Sequence, residues 1–394
     1  MRRSSIIVWG GIMQFWLVGL LLLLAPAAFA QESVPLIPYE GSNPLKLPKD
    51  MHLGEVAGVA VNSKGNIIVY SRSGGPGPAF GNSASQILEF DRTGRFIREI
   101  GKNLYAWAYA HTVRVDAADN IWATDKGSDM VVKFNPSGQV EMVFGRKTEA
   151  SDAEAHAHER NRNPPLPHVD GRFRQPTDVT WDSAGNIYIS DGYVNSRVAK
   201  FDRNGNWIKS WGEKGKGPGQ FDLVHSIAAD ATGNIYVADR NNRRIQVFDT
   251  EGKFLRDIKI DVPPSPTARP AIGNLPNLTD YLATGGSMTP GAPWAICITP
   301  WPDQVMFVSD AFPGRIYKLS LDGKVLGMLG ESGKQLKQFG WVHEIACPHE
   351  NLLYVAEILN WRVQRLVLNP GQRVAVPRSA APPRPPQQPP ATPQ

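Results

Sequence analysis

The hydrophobic pattern of this chain repeats. From Val56 onward a short apolar run is followed by a turn of Gly-Asn type, then a run of aromatic and branched residues that often ends in Asp. A third apolar run, another turn and a fourth run complete the unit. Six stretches carry the pattern: Val56 to Gly101, His111 to Gly145, Pro176 to Gly212, His225 to Ile260, Pro293 to Gly330 and His343 to Leu368. Units of about 40 residues with four short strands each are the pattern of propeller blades. Gly and Asn supply the left-handed turn conformations between strands. Runs that are apolar on both faces suit blades covered by their neighbours. The pattern predicts an all-β, six-bladed β-propeller over residues 51–370. The sixth stretch lacks a fourth strand, and residues 31–50 are the candidate to supply it and close the ring.

Three insertions interrupt the spacing. One runs from Ser71 to Ser85 and is Gly-rich. The second, Arg146 to Gln175, is polar and holds His156, His158 and His168; the third, Asp261 to Ala292, is rich in Pro and Gly. Long loops on a rigid scaffold commonly form the rim of a binding site. The histidines of the second are read as a solvated loop rather than a metal site.

The two ends differ from the repeats. Residues 1–30 have Arg2 and Arg3, an apolar run from Ile6 to Leu24 and the small-x-small sequence Ala28-Phe29-Ala30. This is the pattern of a cleaved secretory signal, with an uncleaved membrane anchor as the alternative. A secreted or periplasmic protein with no membrane insertion after cleavage is expected. Residues 371–394 are mostly Pro, Ala, Gln and Arg and are expected to be disordered or extended. Arg2 and Arg3, with Arg373, Arg378 and Arg384, account for the net charge of +5. The repeats are therefore neutral overall, which argues against a nucleic-acid partner. Cys297 and Cys347 are the two cysteines and lie in corresponding strands of successive repeats. A disulfide and a pair of buried thiols both fit that placement.

Candidate chemistry sits at one repeat position. Just before the first strand of each unit stand Ala57, His111, Thr177, His225, Trp294 and His343. Every second blade has His. First strands line the channel of a propeller, and alternate blades of six lie about 120° apart, so the three imidazoles should converge on the axis. Three histidines with an open fourth position make the donor set of a catalytic rather than structural zinc site.

The runs PTDVTWDSAGNIYISDGYVNSRVAKFD (176–202) and QFDLVHSIAADATGNIYVADRNNRRIQVFD (220–249) resemble the peptidyl-α-hydroxyglycine α-amidating lyases, six-bladed propellers with NHL-type repeats. The resemblance covers about residues 50–368. It implies zinc on His111, His225 and His343, a catalytic Tyr193, and active-site arginines Arg72 and Arg240. It further implies a structural calcium at Val59, Val113 and Glu344, where Glu stands in place of the family's Asp. Val194 stands where animal members have Cys, and the 146–175 insertion has no clear counterpart. The implied function is lyase cleavage of the N–C bond of a carbinolamide, giving an amide and glyoxylate or a related aldehyde. The implied substrate is a small peptide or hydroxylated amide, supplied by a separate hydroxylating enzyme, and the chain is expected to be a monomer. The alternative is a non-catalytic propeller that binds a peptide or cell-envelope ligand.

Overall fold

Each unit folds as a sheet because its apolar runs are short, rich in branched and aromatic residues, and separated by residues that accept positive φ. The structure, a computed structural model, describes residues 34–73, 85–147 and 158–371. The expected signal segment, most of the Gly-rich insertion, His156 and the Pro-rich tail lie outside the described residues. Among the described residues the strands form six antiparallel sheets of four, the blades of a six-bladed β-propeller. A one-turn helix at Tyr281–Thr284 lies in the third insertion. No helix among the described residues is long and apolar enough to cross a membrane.

The turns between first and second strands are closed by side chains as well as by glycine. In blade three Asp182 Oδ1 accepts from the amides of Ala184 and Asn186, both at 2.9 Å, and Asn186 Nδ2 donates to Oδ2 at 2.7 Å. Blade four repeats the arrangement with Asp230, Thr232 and Asn234. Gly185 and Gly233 sit at φ 84° and 94°, where a side chain would be strained.

Burial falls from the axis outward. The second strands Ile187–Asp191 and Ile235–Asp239 are buried at every position. The outermost strands, such as Phe254–Ile258, alternate and expose Leu255. Aromatic side chains fill the space between blades. Trp107 stands 5.2 Å from Tyr70 and 6.0 Å from Phe134 between blades one and two, and Phe144 meets Phe201 at 4.9 Å between two and three. Such pairs add about 0.5–1.5 kcal/mol each beyond the area they bury.

The ring is closed by a strand from near the beginning of the described chain. Tyr39–Ser42 runs antiparallel to Arg362–Leu368, with Tyr39 opposite Leu368 and Ser42 opposite Arg365. Blade six is thus completed by residues far away in sequence. Cys297, on the inner strand of blade five, is bonded to Cys347, on the inner strand of blade six, with a Cα–Cα distance of 6.0 Å.

That bond ties two blades across a separation of 50 residues. Replacing both cysteines with Ala is expected to lower the unfolding free energy by about 3 kcal/mol. The check is a lower thermal midpoint, matched by the parent after reduction.

Candidate metal centre

The three histidines lie inside the first strands of their blades rather than ahead of them, in Ala110–Val115, Val224–Ala229 and Val342–His349. Each sits at a break in register. Ala110 faces Asp125 while Thr112 faces Thr124; Val224 faces Asp239 while Ile227 faces Val237; Val342 faces Glu357 while Glu344 faces Ala356. An extra residue in one strand bends it and re-aims a side chain. Here the bulges bring the imidazoles together, with ring centroids 4.6 to 4.9 Å apart.

Their orientation is set by neighbouring blades. Nδ1 lies 2.6 Å from Thr177 O for His111, 2.6 Å from Trp294 O for His225 and 2.8 Å from Ala57 O for His343. Those carbonyls belong to the next blade round the ring, at the same repeat position. A carbonyl only accepts, so each Nδ1 carries the proton and each Nε2 keeps its lone pair. The Nε2 atoms of His111 and His225 are buried without a hydrogen-bond partner. One candidate ligand atom from each histidine lies within 4.8 Å of the others, the one such metal-capable group among the described residues. Burial first, then the neighbouring histidines at His111 and His225 and the charges of Lys126 with Arg72 or Arg240, holds all three well below the ordinary histidine range. Neutral imidazoles with orphaned, converging lone pairs fit a divalent cation.

Tyr193 packs against this group, its ring 5.6 Å from His111 and 6.0 Å from His225. The approach depends on Gly192, where a Cβ would lie 1.7 Å from the Val224 carbonyl next to His225. Arg240 follows the second strand of blade four, with its guanidinium carbon 5.7 Å from the Tyr193 ring centroid and 4.4 Å from that of Trp294. Its Nε donates to Ser287 Oγ at 3.1 Å, so the third insertion steadies it. Arg72 ends the second strand of blade one and is paired with Glu55 at 2.6 Å. It also bonds the Ala110 carbonyl at 2.9 Å and the Tyr109 hydroxyl at 3.1 Å.

Four residues of this surround escaped the sequence reading: Glu55, Tyr109, Lys126 and Ser287. Lys126 Nζ stands 4.0 Å from the Tyr193 ring centroid and 4.8 Å from that of Tyr109. The repeat carries the signal for it, since Lys126 follows Asp125 in IWATDK as Arg240 follows Asp239 in IYVADR. Those strand-end acids anchor the loops that hold the cations. Asp125 accepts from the amides of Ala108, Tyr109, Gly127 and Ser128, and Asp239 from the amide of Asp222 and from Arg244.

The two tyrosines titrate in opposite directions. Burial pushes Tyr193 up, but the charges of Arg240, Lys126 and Arg72 outweigh it and its pKa is lowered. Burial dominates at Tyr109, whose pKa is raised. Such divergence separates a group that gives up its proton from one that keeps it.

The three positions implied for calcium by resemblance meet at Glu344. The Val59 and Val113 amides donate to Glu344 Oε2 at 3.2 and 3.0 Å. The other oxygen of Glu344 lies 3.1 Å from Arg114 Nε. That oxygen, Glu344 Oε1, is buried and has no hydrogen-bond partner. In the second insertion His158 pairs with Asp129 at 2.8 Å, and His168 meets the Asn195 carbonyl at 2.9 Å, so neither joins the three.

Comparison with known proteins agrees with the fold and the resemblance. A family model described as a 6-bladed beta-propeller matches residues 172–275. The chain is 32% identical over 232 residues to the peptidyl-glycine alpha-amidating monooxygenase of Mus musculus, covering 52% of this chain and 22% of that one. It is 31% identical over 214 residues to a probable peptidyl-alpha-hydroxyglycine alpha-amidating lyase of Caenorhabditis elegans, covering 50% and 56%. The matched segments thus span from about a fifth to just over half of these relatives. A solved streptogramin B lyase superposes with a TM-score of 0.50 at 16% identity over 84% of this chain and 98% of that one, a likeness of fold alone.

Neutral buried histidines make a pH signature. Their folded pKa values lie below the unfolded value of about 6.5, so the unfolded state takes up more protons as pH falls. The metal-free protein is expected to hold its stability above that pH and lose it progressively below. His225→Ala removes one such group and should show a shallower loss, read by thermal unfolding at stepped pH.

Proposed function

We propose that the chain is a zinc-dependent lyase that cleaves the N–C bond of α-hydroxyglycine-type carbinolamides, releasing an amide and glyoxylate. The observation that carries this reading is the meeting of three converging imidazoles, two with orphaned Nε2 atoms, with a phenol whose pKa is lowered by three cations. His111, His225 and His343 would hold the metal. When bound, zinc lowers the pKa of a hydroxyl and stabilises developing alkoxide charge.

The chain's own residues supply the rest. Tyr193 takes the proton of the carbinol hydroxyl; the C–O bond becomes a carbonyl as the C–N bond breaks, and the proton returns to the departing amide nitrogen. No electron leaves or enters the pair of products. The charges around the pocket suit a substrate bearing one carboxylate. Arg72 is offset by Glu55. Of the remaining cations, Lys126 over the Tyr193 ring balances a phenolate, and Arg240 offers a planar fork to the carboxylate. Tyr109, protonated and bonded to Arg72, lines the same side and donates to substrate oxygen. We read residues 1–30 as a removed signal and place the reaction outside the cytoplasm, on small hydroxylated peptides or amides made by a separate enzyme.

Elemental analysis with a glyoxylate-release assay on an α-hydroxyglycine peptide tests the reading. Tyr193→Phe is expected to lower kcat by about 10²- to 10⁴-fold with the metal retained. Arg240→Ala is expected to raise KM for carboxylate substrates and to change it less for their amide analogues. Bound metal without turnover on any such peptide would favour a binding propeller instead.

A further inference from the structure

Beneath the histidines the channel is crossed by one side chain. Arg114, on the inner strand of blade two, reaches Asp178 of blade three with Nε at 2.9 Å and a second nitrogen at 2.6 Å. The same guanidinium lies 3.4 Å from Ser226 Oγ of blade four, 3.2 Å from the Ile296 carbonyl of blade five and 3.1 Å from Glu344 of blade six. Glu344 in turn accepts from the Val59 amide of blade one. One polar layer therefore touches the inner strands of all six blades.

We propose that the Arg114 guanidinium is the built-in axial cation of this propeller, replacing a bound calcium and closing the channel below the candidate metal site. The charges require a cation there: Asp178 and Glu344 are buried carboxylates facing one another across the axis. The geometry puts a guanidinium in that place, within 3.1 Å of both carboxylates. Calcium takes about six to eight oxygen ligands. Here Asp178 accepts from Ser226 Oγ at 2.8 Å, the Ile227 amide at 3.1 Å and the Val179 amide at 2.9 Å, and Glu344 Oε2 accepts from the Val59 and Val113 amides, while Glu344 Oε1, without a hydrogen-bond partner, faces the guanidinium at 3.1 Å. A planar guanidinium fork matches the two-oxygen face of Asp178, which a lysine would not. Gly58 makes room for the layer, since a Cβ there would lie 2.7 Å from Glu344 Oε2. With the floor filled, substrate reaches the histidines from the Tyr193 face alone.

The test reads stability and metal content, not turnover, so it stands apart from the lyase reading. The parent is unfolded thermally in EGTA and in millimolar calcium chloride, and calcium is measured after desalting. Midpoints equal within about 1 °C and no retained calcium are expected, because a ligand that does not bind the native state leaves its stability unchanged. A calcium-induced rise of about 5 °C or more, or stoichiometric retained calcium, overturns the proposal. Arg114→Ala leaves two buried carboxylates without their cation and is expected to lower the midpoint by about 10 °C. That loss should be partly restored by calcium, while Arg114→Lys stays calcium-indifferent. An Arg114→Ala protein as stable as the parent also overturns it. Should that variant not fold, the parent measurement and Arg114→Lys decide.

Discussion

Six inner strands meet at one axis, and every polar group placed there must be satisfied by a different blade. That constraint governs the centre of this molecule. Each imidazole of the histidine layer donates a hydrogen bond from Nδ1 to the backbone carbonyl of the next blade, so the blades' registry and the histidines' tautomers are one property. A shift of one blade would turn a lone pair away from the centre and strand a buried donor, at a cost of about 1–3 kcal/mol per group. The bulges that present the imidazoles give up local ladder bonds to do so.

Two layers of opposite character are stacked on this axis. The histidine layer is held neutral by burial and surrounding cations, and so offers lone pairs. The layer below is ionic: Arg114 is shared between Asp178 and Glu344, and hydroxyl and amide donors reach Asp178 and one oxygen of Glu344. The first layer invites a ligand and the second refuses one. The difference rests on charge balance: the neutral imidazoles keep inward lone pairs, while the carboxylates already face a guanidinium.

The rim is organised by repetition of another kind. The buried acid at the end of a second strand gathers loop amides, and the next residues are presented to the pocket: Lys126 after Asp125, Gly192 and Tyr193 after Asp191, Arg240 after Asp239. Equivalent anchors put unlike side chains at one height. A fixed scaffold thereby collects a phenol and two cations around one point, with Arg72 contributed by the end of the corresponding strand in blade one.

The chain's periodicity by itself determined the six blades, the convergence of His111, His225 and His343, and, through motif resemblance, the candidacy of Tyr193, Arg72 and Arg240. These features are local or recur at a fixed spacing, and strand alternation and turn chemistry express them over a few residues. Only the tertiary structure decided which groups face one another across the channel. Glu344 meets the Val59 amide across 285 positions and the Val113 amide across 231, and Arg114 reaches Ile296 across 182. No pattern along the strand tells whether the backbone polar groups of Val59 point inward, since that depends on the bulge between Val56 and Gly58. Nor does Lys126 differ in sequence from a solvated lysine at a strand end; its burial between Tyr109 and Tyr193 comes from two blades packing side by side. Pairings between blades are set by closure of the ring, and closure is a property of the whole chain.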